Sequence, residues 1–486
     1  MKDKKLKILF IVSECLPYIK TGGLADVAGA LPKILAKQGH DVRVIMPGYS
    51  AISKEKFGFK RTEKPFTVNH MGNDVFVGLL ESDFTPNVKT YLVSQDDMFA
   101  RNKIYGEHDD EHRFIIFSKA VMASMVHLNW FPDIAHCHDW HTGLLPVFIK
   151  EAAPFNKKYS KIKSVFTIHN LGYQGRFLAE TIKHAGLSWD LFTPEKLEFY
   201  GQVNFMKGAI LYSDKITTVS PTYAKEILKP EFGEGLDGVL RDRKLDLHGI
   251  INGIDYNEWG PINDLSIPVR YSYYRPKGKE TCKKVLLENL HLDTNPKRPL
   301  FGLVSRLCKQ KGIDVLVYAL RDLLAHSDTI FIVQGTGEKE YEDMIKRLVK
   351  DFPNQVGYIE AYSETMARCI YAGSDAFLMP SAYEPCGLGQ MIALTYGTIP
   401  FVHKTGGLSD TVFDIDFESE KTPNGFVFEP LWEEILKENL WRLYHKFKKN
   451  PKEWSNLKKN AMKCSFTWDD SVEEYLKVYF SALKSS

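Results

Sequence analysis

The sequence lacks any paired-cysteine signature. Its 7 Cys stand singly, none in C-x-x-C spacing. That excludes a disulfide framework and a structural zinc knuckle as the basis of the fold, and it fits reduced cytosolic thiols. No run approaches the 18 apolar residues that a membrane span needs. Lys2, Lys4, Lys5 and Lys7 before Ile8-Leu9-Phe10-Ile11-Val12 imitate a signal peptide. The apolar run is too short, however, Glu14 follows it, and no small-residue cleavage pattern appears. A cytoplasmic protein with no membrane partner is expected. Charge of one sign is missing as well: 63 Lys+Arg face 61 Asp+Glu, a formal +2. Without a basic block, non-specific nucleic-acid binding is not expected. The loop after the first apolar run carries no G-x-G-x-x-G, so the dinucleotide fingerprint is absent there.

What is present is a long chain of apolar runs alternating with helical patterns. Its 486 residues exceed one growing core, so two domains are expected. The chain turns polar and irregular after Trp259, which places the hinge near Asn257 to Pro268. The division is residues 1–260, then 261–465, with a last amphipathic helix over 469–483. Buried strands are expected at Ile8–Val12, Val42–Met46, Ser164–Ile168, Leu300–Val304, Thr329–Val333, Ala376–Met379 and Ile399–Val402, with helices between them. That alternation predicts two doubly wound α/β sheets. Asn69–Leu80 reads as a strand with Asn73-Asp74 in or near a turn. Phe199–Tyr212 and Leu431–Lys448 read as helices.

The chemistry concentrates where strands end. Glu384-Pro385-Cys386-Gly387-Leu388 lies between a buried strand and a helix. In a parallel α/β domain ligands bind at that position. Glycine-lined N–H groups at a helix start suit an anion or a sugar hydroxyl. An ordinary strand-to-helix turn has the same composition. Arg306 and Lys311 leave the end of another strand five residues apart. Two converging cations would suit a diphosphate, and their position after a core strand with Gly312 behind favours that over a solvated basic loop. Lys20-Thr21-Gly22-Gly23-Leu24-Ala25-Asp26 follows the first strand and recurs with one change as Lys404-Thr405-Gly406-Gly407-Leu408-Ser409-Asp410. Each half thus carries a glycine loop after a strand. His138 and His141 tempt a metal reading, but their loop-like spacing fits satisfied polar residues beside a substrate better. His169-Asn170 also stands at a strand end.

These motifs resemble bacterial glycogen synthase and plant starch synthase (glycosyltransferase family 5) over nearly the whole chain. The resemblance rests on Lys20–Val27, His138–Gly143, Ser220–Thr222 and Glu384–Gln390. It implies the GT-B fold: two Rossmann-like domains facing a cleft, with segment 466–486 packing back on the first. It further implies transfer of glucose from ADP-glucose to the non-reducing end of an α-1,4-glucan such as glycogen, with retained anomeric configuration and release of ADP. No metal and no pyridoxal phosphate are expected. A homo-oligomer is admitted, and no assembly state is fixed. In the roles the resemblance implies, Lys20 and Gly23 lie near the donor diphosphate and glucose, and Asp26 lies on the acceptor or sugar side. Tyr105 packs in the cleft, and His169 stands beside the transferred glucose. Arg306 and Lys311 hold the leaving diphosphate, Glu384 binds glucose hydroxyls, and Thr405, Gly406 and Gly407 offer backbone donors. Gly22, His138, Asn170, Cys386, Gly387 and Leu388 complete the expected substrate set. In the broader fold a second acid often follows the first by eight residues. Here that position is Ile392, which agrees with the synthase branch. The competing readings are a UDP-glucose or dual-donor transferase and a non-catalytic glucan-binding protein on the same fold. A phosphorylase is disfavoured because the chain is short for one and lacks its cofactor-lysine pattern.

Overall fold

The computed structural model describes residues 4–62, 64–101, 103–417 and 421–484. The chain forms two compact units, Met1–Gly253 with Trp468–Ser486, and Ile254–Thr467. The first three and last two residues, inside the expected domain limits, lie outside the described set. The break falls ahead of the expected 260, so Ile254 to Gly260 belongs to the second unit. Among the described residues no helix is long and apolar enough to cross a membrane.

Among the described residues, the first unit is built on thirteen strands. They are β1 (Lys7–Ile11), β2 (Asp41–Pro47), β3 (Lys60–Arg61), β4 (Phe66–His70), β5 (Asn73–Ser82), β6 (Val88–Ser94), β7 (Ile134–His138), β8 (Lys163–Ile168), β9 (Arg176–Leu178), β10 (Glu198–Phe199), β11 (Gln202–Asn204), β12 (Lys215–Thr218) and β13 (Leu247–Gly249). The main sheet runs β13-β12-β8-β7-β1-β2-β6-β5-β3, with β4 on β5. From β13 to β6 all neighbours are parallel. β1 and β7 are buried along almost their whole length. Helices cover both faces of a parallel sheet, so its strands read as continuous apolar runs rather than alternating ones.

Two sequence expectations fail at short turns. Asn69–Leu80 is not one strand but the β4–β5 hairpin, and its turn, Met71-Gly72, lies next to the expected Asn73-Asp74. Both turn residues have positive φ, 54° and 80°, as a two-residue hairpin requires. Phe199–Tyr212 is not one helix either. Tyr200-Gly201, with φ of 50° and 79°, turns β10 back on β11. The helix begins only at Phe205, where Asn204 Oδ1 accepts the Lys207 N–H at 2.9 Å.

The final helix, Trp468–Ala482, belongs to the first unit. It packs against the helix Gly23–Lys37. Ser471 Oγ donates to the Ile251 carbonyl at 2.6 Å, and Tyr479 Oη lies 2.8 Å from His136 Nδ1.

The second unit carries β14 (Leu300–Val304), β15 (Ile330–Gln334), β16 (Val356–Ile359), β17 (Ala376–Met379), β18 (Ile399–His403) and β19 (Phe426–Phe428). The order is β16-β15-β14-β17-β18-β19, all parallel. The helix expected over Leu431–Lys448 spans Glu433–Lys449. A further one, Pro451–Lys463, follows it with Pro451 in the first turn. Proline is tolerated there because that N–H has no partner inside a helix.

Strand order reverses once in each sheet, between β1 and β7 and between β14 and β17. At such a reversal the flanking loops diverge and leave a crevice beyond the strand ends, which is where open α/β sheets bind ligands.

Candidate active site

At the first reversal, β1 ends one residue before Ser13-Glu14. Glu14 is 3% exposed. Its carboxylate accepts the backbone N–H of Thr21, the Thr21 hydroxyl at 2.8 Å and the Gly22 N–H at 3.2 Å. A buried acid thereby shapes the glycine loop from beneath. Burial pushes its carboxyl up from the ordinary value, opposed by those donors. Lys20 and Asp26, expected to serve different substrates, pair with each other at 2.7 Å. Tyr105 joins from another loop: its hydroxyl lies 2.9 Å from Ser13 Oγ and its ring stacks on His141 at 4.3 Å. The loop is anchored by Asp110, which accepts the Gly106 N–H at 2.8 Å and pairs with the wholly buried Arg113 at 2.5 Å.

β7 and β8 bring the histidines. His138 is the last residue of β7 and fully buried, with Nδ1 2.9 Å from His169 Nε2. It therefore orients His169 from behind. Among the described residues neither His141 ring nitrogen has a hydrogen-bond partner, and the ring packs at a tilt against Tyr105 and Trp140. Burial drives the His169 imidazole down to about 3, so it is neutral near pH 7. A neutral ring, or the carbonyl beside it, adds no repulsion to positive charge developing on a sugar. Asn170 accepts the Gly172 N–H at 3.0 Å in the same loop.

Asp139 follows β7 with φ of 53° and accepts the His169 N–H at 2.8 Å. Desolvation raises its carboxyl to about 7 despite that bond. An unfolded Asp titrates near about 3.9. The folded state thus holds the proton more tightly, and this contribution to stability is complete below pH ~4 and lost as pH rises to ~7. Asp139→Asn should remove that portion of the pH dependence. Urea unfolding of parent and variant from acid to neutral pH checks it: parallel curves refute the assignment.

At the second reversal the loops after β14 and β17 are tied together. Ala382 N–H donates to the Gln310 carbonyl at 2.8 Å, and Gln310 Nε2 donates to the Tyr383 carbonyl at 3.2 Å. Gly312 takes φ of 64°, and a side chain there would overlap the Pro380 carbonyl. Across this seam Lys311 Nζ meets Glu384 Oε2 at 2.6 Å, and Ser381 Oγ donates to the same oxygen at 2.8 Å. Arg306 is exposed on the β14 loop. Cys386 is buried, Gly387 has φ of 72°, and Leu388 precedes the helix Gly389–Thr395. The wholly buried Gln390 donates from Nε2 to the Gly387 carbonyl at 2.8 Å and reaches the Cys386 carbonyl at 3.0 Å.

The repeated heptapeptide serves two purposes. Gly23 is exposed, with nothing within 4 Å of where a side chain would begin. Gly406 and Gly407 are buried against the Glu384 and Cys386 backbone. Gly407 N–H already donates to the Glu384 carbonyl at 3.1 Å, and Thr405 N–H to the His403 carbonyl at 3.0 Å. In this structure these two N–H groups donate to backbone carbonyls of the same unit. Lys404 pairs with Glu429 at 2.6 Å.

The first unit thus assembles Lys20, Gly22, Gly23, Asp26, Tyr105, His138, His169 and Asn170 around one strand-order reversal. The second assembles Arg306, Lys311, Glu384, Cys386, Gly387, Leu388, Thr405, Gly406 and Gly407 around the other. Sequence reasoning missed Glu14, Asp139 and Ser381. The signal for the first two was the one used for Glu384, an acid just past a buried strand.

A model of the starch synthase catalytic domain matches residues 7–242, and one of glycosyl transferases group 1 matches residues 291–463. The chain is 44% identical over 479 residues to a glycogen synthase of Geotalea daltonii, covering 98% of both chains. It is 42% identical over 483 residues to a glycogen synthase of Thermotoga maritima, covering 98% of this chain and 99% of that one. Among solved structures it resembles the catalytic domain of starch synthase IV from Arabidopsis thaliana bound to ADP and acarbose. The TM-score is 0.93 at 32% identity, covering 99% of this chain and all of the other. A sucrose-phosphate synthase from Thermosynechococcus elongatus shares the fold at 16% identity, with a TM-score of 0.61 over 99% of each chain.

Proposed function

The chain belongs to the glycogen and starch synthase family of glycosyltransferases, and from that premise we propose that it elongates glycogen. It transfers glucose from ADP-glucose to the non-reducing end of an α-1,4-glucan, retains the anomeric configuration and releases ADP. The observation that carries this reading is the Lys311–Glu384 pair at the β14–β17 reversal. It sets a phosphate-binding cation beside an acid that accepts from sugar hydroxyls, on two loops fixed to each other. The Arabidopsis relative, solved with ADP and acarbose, supports the nucleotide and the glucan as ligands.

Breaking the glucose–phosphate bond puts negative charge on ADP. Arg306 and Lys311 stabilise that charge as it develops. His169, neutral and backed by His138, lines the sugar side without opposing the positive charge on its anomeric carbon. No side chain is assigned as a covalent nucleophile. Transfer uses no metal and no pyridoxal phosphate in this proposal, and it takes place in the cytoplasm.

Glucose incorporation into glycogen from labelled ADP-glucose and labelled UDP-glucose, run side by side, tests the reading. Strong incorporation from ADP-glucose, undiminished by a chelator, is expected. Preference for UDP-glucose overturns the donor assignment. Glucan binding without incorporation from either donor overturns the enzymatic one.

A further inference from the structure

A second group of polar side chains lies in the first unit and takes no part in the transfer chemistry above. Glu111 and His112 sit in the first turn of the helix Asp110–His127, and His184 ends the short helix Thr181–His184 packed against it. One ligand atom from each, a carboxylate oxygen and two imidazole nitrogens, lies within 4.8 Å of the other two. Glu111 Oε1 and His184 Nδ1 are 2.5 Å apart, and the His112 and His184 rings are 4.9 Å between centroids. His70, the last residue of β4 and 8% exposed, places Nε2 3.0 Å from His112 Nδ1.

We propose that Glu111, His112 and His184 form a binding site for a divalent transition ion of the zinc class. The site is structural and independent of the glucose-transfer reading. Two imidazoles and one carboxylate are a borderline-soft donor set that suits zinc, with a fourth position left for water. Around a tetrahedral ion with bonds of about 2.0 Å the ligand atoms stand about 3.3 Å apart. Glu111 and His184 start closer than that, at 2.5 Å, and all three atoms lie within 4.8 Å of one another, so side-chain rotation suffices. His70 supplies what a ligating histidine ordinarily has, a partner on its other nitrogen. An ion on His112 Nε2 selects the tautomer in which Nδ1–H donates to His70. The bound ion would clip two helices and, through His70, the β4 hairpin.

Chelator-stripped full-length protein is dialysed against about 10 μM free Zn²⁺, and the retained metal is measured by mass spectrometry. Co²⁺ is used in parallel for its visible absorbance. The parent should take up one ion per chain, show d–d bands without sulfur-to-metal charge transfer, and gain about 5 °C in thermal midpoint. His112→Ala and His184→Ala should lose the ion and the shift. Should either variant misfold by circular dichroism, Glu111→Gln, which preserves shape, decides the matter by the same loss. No uptake by the parent, uptake unchanged in the folded variants, or a thiolate signature overturns the site.

Discussion

Glu384→Ala lowers glucose transfer by about two to three orders of magnitude and leaves the chain folded. The size follows from what Glu384 holds. Its Oε2 takes the Lys311 ammonium at 2.6 Å and the Ser381 hydroxyl at 2.8 Å, at the seam between the β14 and β17 loops. Truncation removes the acceptor proposed for sugar hydroxyls and frees Lys311 from its fixed position. The fold survives because the seam keeps the bond from the Ala382 N–H to the Gln310 carbonyl and the one from Gln310 Nε2 to the Tyr383 carbonyl. Lys311, with 17% of its side chain exposed, retains access to water. Glu384→Gln separates the two losses. It keeps an acceptor for Ser381 but no charge for Lys311, so its rate should fall between parent and Glu384→Ala. Lys311→Ala weakens ADP binding, and Arg306→Ala lowers turnover. The readouts are steady-state transfer and ADP titration with circular dichroism as the folding control. Unchanged turnover in folded Glu384→Ala removes Glu384 from the site, and equal ADP binding by Lys311→Ala removes the diphosphate role.

What could be read in advance divides along physical lines. The β1, β8, β14, β15, β17 and β18 segments were legible because a strand buried on both faces must be apolar throughout. The places where strands end were legible for the same reason, and they carry most of the site. Turns with positive φ were not legible at Met71 and Tyr200, residue types that seldom adopt that conformation. The break near 253 was misjudged because irregular composition after Trp259 marks a polar surface segment, while contacts decide domain membership. Glu14 and Asp139 were overlooked for another reason. Each stands just past a buried strand, the signal used for Glu384, but its use as an acceptor of backbone N–H groups shows only through its partners, Thr21, Gly22 and His169.

The repeated heptapeptide gives the sharpest contrast between near-identical sequence and different use. Gly407→Ala should destabilise the chain by about 3 kcal/mol, near the upper range for forcing an extra group into a packed site. The added methyl would overlap the Cys386 carbonyl oxygen, which is backbone, so no side chain can swing aside to admit it. The same methyl would push apart the Gly407 N–H and Glu384 carbonyl, which lie 3.1 Å apart. Transfer should therefore fall together with the unfolding midpoint, because the loop that carries Glu384 moves. Gly23→Ala should behave in the opposite way. Nothing lies within 4 Å of its added methyl, so stability stays within about 0.5 kcal/mol of the parent, as for most surface changes. Its effect should fall on the substrate instead: a methyl on an open glycine loop occupies space meant for donor, and KM for ADP-glucose rises about tenfold, a loss of about 1.4 kcal/mol in binding. Urea unfolding and steady-state kinetics on both variants decide the matter. A fully stable Gly407→Ala refutes the packing role of the second loop, and normal kinetics in Gly23→Ala refutes donor contact at the first.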